Sequence, residues 1–341
     1  MAQSVCCTTE RKQSTSSTPP VLCVEQLQVI RHARGCSYPI VEGITFDVRP
    51  GQTLALVGES GCGKSITAAA ILGLLPWGFA IGSGRIQLDG HDVLSLPTGA
   101  WRRLRGRRVG AVFQNPLAAL NPSLPIWKQV IESIALDEPL TRDVMRRQAI
   151  QLLERVEVPE ARSRLDDYPH QFSGGMRQRV ALALALARNP GLLIADEPTT
   201  ALDLITQSQI LNMLKHLQQE QHLAILFITH DLSLVAEYAD EVFVMYAGQE
   251  VERGSVPDLF GSAYHPYTHA LLGSIPRLTS SQERLSDIEG APPNPLAYPP
   301  GCRFAPRCPR AQDPCRILSP PRLGDIQHEA YCHHPYRTPP T

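Results

Sequence analysis

Short, almost wholly apolar runs recur along the chain at Leu54–Val57, Val109–Phe113, Leu192–Ala195, Ala224–Thr229 and Val242–Tyr246. Each is rich in branched or aromatic residues and too short for a helix, so each reads as a core strand. Arg85–Leu88 is a further strand candidate, and Val21–Val48 reads as short strands broken by a turn near Gly35. Helical runs lie between them at Ile66–Leu75, Val180–Ala187 and Leu204–Gln219. Ile126–Val156 is also helical, with a break at Pro139. Strands alternating with helices predict an α/β fold whose sheet is mainly parallel and covered on both faces.

The 341 residues, 43% hydrophobic and 19% charged, suffice for a main domain and an appendage. The boundaries fall at 1–20 for a disordered N-terminal tail, 21–279 for the main domain and 280–341 for a Pro/Cys-rich C-terminal extension. A helical subdomain occupies about 115–188 of the main domain. The net charge of −1 gives no global field for nucleic acid or anionic lipid. The basic run Arg102–Arg108 leads into a core strand with little aromatic interleaving, so it reads as a solvated face. No run of about 18 uncharged apolar residues is present to span a bilayer. Met1–Pro20 lacks an apolar core for a secretory signal, which predicts a cytoplasmic protein.

Gly58-Glu59-Ser60-Gly61-Cys62-Gly63-Lys64-Ser65 fits G-x-x-x-x-G-K-[ST], and it stands between a strand and a helix as a phosphate-binding loop requires. Successive backbone N–H groups and the helix N-terminus suit polyphosphate. Lys64 is expected at the β/γ-phosphates and the Ser65 hydroxyl on Mg²⁺. Cys62, beside Lys64 at a helix start, is expected to have a lowered thiol pKa. Downstream, Ser173-Gly174-Gly175-Met176-Arg177-Gln178 opens a helix, and Leu192–Ala195 ends on Asp196-Glu197-Pro198. Carboxylates at the C-terminal end of a buried strand stand where α/β sheets place their ligands.

With these motifs the chain resembles the ATP-binding-cassette ATPases, over about Val21 to Leu272. The resemblance implies a P-loop NTPase cassette that hydrolyses ATP. It makes Ser173, Gly174 and Gly175 the signature, Asp196 a Mg²⁺ ligand and Glu197 the base that directs the attacking water. Gln114 corresponds to the glutamine loop, which touches Mg²⁺ and water, and His230 to the switch histidine. Asp203, in Ala201-Leu202-Asp203, corresponds to the loop that crosses the dimer interface. Tyr38 is the candidate for stacking on adenine, against a core tyrosine as the alternative. In the family's head-to-tail arrangement each signature closes the other copy's ATP, so a partner cassette is implied. The short interval from Gln114 to Ser173 excludes the long coiled-coil inserts of chromosome-organising and repair ATPases.

Tyr168-Pro169-His170-Gln171, Leu120-Asn121-Pro122, His265-Pro266-Tyr267-Thr268 and the tail from Pro299 to Cys308 resemble bacterial oligopeptide/dipeptide importers. Met176 resembles the subunit type with Met in the signature, which implies a heterodimer. The resemblance further implies two transmembrane permease subunits, an extracytoplasmic solute-binding protein and a place on the cytoplasmic face of the membrane. Nickel or a metal–chelator complex is the alternative cargo. A soluble cassette ATPase and a redox protein are other readings. Cys302, Cys308, Cys315 and Cys332 are spaced C-x5-C-x6-C-x16-C, which matches neither common zinc-finger nor ferredoxin spacings and leaves a metal of open identity. Resemblance to the importer tail implies a 4Fe–4S cluster on the four thiolates, while His333 and His334 keep zinc possible. With little apolar content, the tail has no evident core of its own.

Overall fold

The computed structural model describes residues 18–33, 35–115, 119–134, 141–200, 202–275, 288–325 and 327–337. Most of the tail expected over Met1–Pro20, the helix break at Pro139, Ala201 and the boundary at 279/280 lie outside the described residues. Two compact units are present. The described residues within Met1–Arg49, Thr53–Ser95 and Phe227–Thr341 form the first, and those within Pro50–Gln52 and Leu96–Leu226 the second.

The first unit opens with a long antiparallel pair, β1 (Leu22–Ala33) and β2 (Cys36–Val48), in place of the short strands expected there. The reason lies in the register. Shifts between Val24 and Leu27 and between Leu27 and Val29, with Gln26 at φ 46°, interrupt the two-residue alternation while the chain stays extended. After β3 (Thr53–Val57), β4 (Phe79–Leu88) and β5 (His91–Asp92) complete a sheet of order β2-β1-β4-β5.

β3 also pairs in parallel with β9 (Glu241–Tyr246), and β9 turns back through Ala247–Gly248 into antiparallel β10 (Gln249–Ser255). Beyond β10 lie β12 (His328–Tyr331) and β11 (Arg322–Gly324), both supplied by the C-terminal extension. The extension therefore has a core to join. Phe304, 1% exposed, packs among Tyr246, Tyr267, Val244, Val57 and Leu259. Ring centroids stand 5.1 Å from Tyr246 and 5.3 Å from Tyr267.

In the second unit β6 (Val109–Val112) pairs in parallel with β7 (Leu192–Asp196), every residue of which is buried. Helices Ile126–Ile134, Arg142–Arg155 and Gly174–Leu186 pack on one another between these strands in sequence. The basic run lies on helix Thr98–Arg108, none of whose residues is buried. β8 (Ala224–Thr229) begins in this unit and ends in the first. No helix among the described residues is long and apolar enough to cross a membrane.

Candidate functional site

The phosphate loop belongs to the first unit. It leaves β3 at Gly58, where φ is 148° and a Cβ would stand 2.1 Å from the Met245 carbonyl oxygen, so only glycine fits. Its far end enters helix Lys64–Leu72, whose N-cap is Gly63. Lys64 is 6% exposed, and its Nζ donates to Gly58 O at 2.6 Å and Glu59 O at 3.1 Å. The ammonium is thus held by the loop's own carbonyls, beside the amides that would wrap a phosphate. Ser65 is exposed at the helix start.

Cys62 corrects an expectation. Burial raises its pKa, and the nearby Lys64 charge, with Nζ 3.8 Å from the sulfur, does not reverse this. Desolvation of a small enclosed thiolate outweighs one cation.

Glu59, an unconstrained position of the motif, turns out to be anchored on all sides. Its backbone N–H donates to Tyr267 Oη at 2.9 Å, and its carboxylate receives Arg307 of the extension at 2.7 and 3.0 Å. The sequence motifs include Glu59, Tyr267 and Arg307 but assign none of them a role of its own. The only signal was the pairing of an acidic loop residue with arginines beside Cys302 and Cys308.

Tyr38 is half-buried on β2, opposite Arg31. The same strand runs beside the loop, since Val41 Cγ2 is the nearest atom to a Cβ built on Gly63, at 3.0 Å. His230 is exposed immediately after β8. Asp231 follows as the N-cap of helix Leu232–Tyr238.

The carboxylates, the glutamine and the signature belong to the second unit. Asp196, 7% exposed, ends β7. Glu197 follows with φ at 48°, a conformation that costs a non-glycine residue about 1–3 kcal/mol. Gln114 Nε2 donates to Glu197 Oε2 at 2.6 Å, and Thr200 Oγ1 donates to the same oxygen at 3.0 Å. The structure thus joins two residues 83 positions apart that were singled out separately.

Ser173 caps helix Gly174–Leu186, its Oγ accepting from Met176 N at 3.3 Å. The exposed N-terminus of that helix presents backbone N–H groups and the positive end of its dipole. Gly175 lies against the next helix, Leu204–Gln221, where a Cβ would meet Thr206 Cγ2 at 2.4 Å. Thr206 is itself fixed by Asp203, whose carboxylate accepts from Thr206 N at 3.0 Å and Oγ1 at 2.7 Å. These bonds lower the Asp203 pKa. Signature and Asp203 loop are one packed assembly.

Cys302, Cys308, Cys315 and Cys332 are all free thiols. Cys302 N donates to Cys315 O at 2.8 Å. Burial first, then the charges of the other three, push Cys332 up to about 12. Burial likewise raises Cys302 and Cys308. The four are gathered, yet among the described residues no group of three or more His, Cys, Asp or Glu converges to hold a metal ion.

The family profile described as ABC transporter matches residues 41–200. That of the oligopeptide/dipeptide transporter C-terminal region matches 251–315. A putative peptide import ATP-binding protein of Brucella abortus is 45% identical over 298 residues, 87% of this chain and 90% of that one. The dipeptide transport ATP-binding protein DppD of Bacillus subtilis is 44% identical over 314 residues, 92% and 94% of the two chains. Among solved structures, cbiO1 from Clostridium perfringens, part of an ABC transporter complex, aligns with a TM-score of 0.62 at 30% identity. It covers 71% of this chain and 91% of that one. With the phosphate loop, the capped signature helix and the carboxylate pair in place, the chain belongs to the ABC transporter family of ATP-binding proteins, in the branch that carries the oligopeptide/dipeptide C-terminal region.

Proposed function

We propose that this chain is the ATP-hydrolysing subunit that powers import of peptides through a separate pair of membrane permease subunits. The observation that carries the reading is near full-length similarity to proteins named for peptide and dipeptide import. Nickel or metal–chelator cargo has no such support.

In this reading Lys64 and the loop amides bind the ATP phosphates, and Tyr38 stacks on the adenine. Mg²⁺, which neutralises phosphate charge, would be held by Ser65 and Asp196, with Gln114 as a further contact; an exposed hydroxyl and a carboxylate suit a hard cation. Glu197 takes the proton of the attacking water, and His230 senses the γ-phosphate. The Gln114 amide holds Glu197 Oε2 at 2.6 Å, and its release would leave that oxygen to Thr200 and the water. Movement of the glutamine loop with the permease would make that release depend on transport. Ser173, Gly174 and Gly175 close the nucleotide of a second cassette, across an interface that includes Asp203. The Met176 subunit type favours a different cassette as partner, on the cytoplasmic face of the membrane. A solute-binding protein outside selects the peptide.

A strain lacking the chain tests this. It is expected to lose uptake of labelled di- and oligopeptides while keeping nickel uptake. Wild type restores transport and Glu197→Gln does not, because losing a general base slows hydrolysis roughly 100-fold or more. Undiminished peptide uptake without the chain overturns the peptide reading. Full complementation by Glu197→Gln overturns the base assignment.

The 4Fe–4S cluster is proposed on Cys302, Cys308, Cys315 and Cys332. Its support is the neighbourhood of four thiols, since Cys302, Cys308 and Cys315 each disfavour a thiolate at Cys332 and a metal centre would hold all four deprotonated. The side chains do not converge as a coordination group, so no chemistry is routed through it. Anaerobic protein with about four irons per chain supports it. Zinc alone, or no metal, overturns it.

A further inference from the structure

We infer that Arg307 of the C-terminal extension is a positioning residue for the phosphate loop, so that the order of the extension sets the affinity for nucleotide. The inference rests on the loop binding ATP, as proposed above.

A guanidinium has five N–H donors, and all five of Arg307 are spent. Nη1 donates to Glu59 Oε2 at 2.7 Å and to Tyr246 Oη at 3.2 Å. Nη2 donates to Glu59 Oε1 at 3.0 Å and to Ile288 O at 2.9 Å. Nε donates to Glu289 O at 2.9 Å. The Arg307 side chain is only 5% exposed and that of Glu59 22%, so the forked pair is shielded from solvent. Such two-pronged charge-assisted bonds fix orientation as well as distance.

What they fix is Glu59, and Glu59 holds the lysine. The Glu59 carbonyl accepts from Lys64 Nζ at 3.1 Å and from Cys62 N at 3.2 Å. Its N–H is tied to Tyr267 Oη. A displacement of the carboxylate therefore moves a carbonyl that cradles the ammonium, together with amides that would face phosphate.

A second brace comes from the same segment. Arg303, bracketed with Arg307 by Cys302 and Cys308, donates to Ala247 O at 2.5 Å and is stacked 3.9 Å from the Tyr298 ring. The adjoining Gly248 N donates to Cys62 O at 2.8 Å, at the other side of the loop. The extension thus grips the loop at two points, through residues that lie outside the phosphate-loop motif. Coupling of this kind is reciprocal: bound nucleotide must stabilise the extension by as much as the extension tightens nucleotide.

The test uses the full chain, with MgADP titrated calorimetrically so that no turnover intervenes, and urea unfolding measured in parallel. Arg307→Met and Glu59→Gln are each expected to weaken MgADP about tenfold, within the range of ordinary site-to-site coupling. The double variant is expected to bind no worse than the weaker single, since both remove one interaction. Arg146→Gln, which breaks the solvent-facing Arg146–Asp166 pair in the second unit, is expected to leave affinity unchanged. Lower urea stability with wild-type MgADP affinity in Arg307→Met and Glu59→Gln would overturn the inference and leave only a structural pair. Additive losses in the double variant would overturn it as well. A wild-type chain that binds MgADP no better than Lys64→Ala would overturn the nucleotide reading itself, and this inference with it.

Discussion

His265 is 1% exposed, with its ring Nδ1 accepting from Tyr267 N at 3.0 Å and its backbone N–H donating to Glu252 Oε2 at 2.9 Å. Burial lowers its pKa to about 4, against the pull of the Glu252 charge. The unfolded chain binds a proton there near pH 6.5, and the folded chain does not until about 4. Its contribution is fully present above pH 6.5 and is lost as the pH falls toward 4, by about 3 kcal/mol in all. Urea midpoints measured across this window are expected to decline. His265→Asn, which keeps an acceptor for Tyr267 N but cannot ionise, is expected to flatten the decline. An unchanged slope would assign the acid sensitivity to other groups. At this scale the sequence was legible as placement, with Lys64 and Ser65 at a helix start and Asp196 at the end of a buried strand. Glu59 was not, because its role exists only through Arg307, 248 positions away. Cys62 was misjudged for a related reason. The neighbouring cation was visible in the sequence and the enclosure was not.

At the scale of elements, the signature helix depends on its neighbour. Gly175 admits helix Leu204–Gln221 so closely that a methyl group would collide with Thr206 Cγ2, and Asp203 prevents Thr206 from turning aside. Gly175→Ala is expected to destabilise the chain by about 1–3 kcal/mol through overpacking. Adding Thr206→Ser removes the offending carbon, leaving the nearest Thr206 atoms beyond 3.6 Å, and is expected to recover most of the loss. Denaturant unfolding of the two singles and the double decides it; failure of rescue would place the strain elsewhere. The apolar runs at β3, β7, β8 and β9 were readable because strands buried on both faces are hydrophobic throughout. β1 and β2 were misread as short, since their bulges break the alternation that reveals a half-buried strand. The antiparallel pairings were equally hidden, because nothing in the pattern of β10 names a partner 76 residues away.

At the scale of the whole molecule, the family was legible from its spaced motifs, while the part played by residues 288–337 was not. Their proline content reads as a loose appendage, yet Phe304, Arg307 and β12 complete the surroundings of the loop in the first unit. This has a consequence for biogenesis. The ribosome makes the phosphate loop early and its anchor late. Until His328–Tyr331 emerges, β10 presents an unpaired edge, which is a template for association with other chains. Until Phe304 emerges, Tyr246 and Tyr267 lack the ring that covers them. A nascent chain interrupted before this point carries every motif needed to recognise a nucleotide, but not the guanidinium that holds Glu59 in place. The segment translated after the nucleotide-recognition motifs thus seals the loop in place.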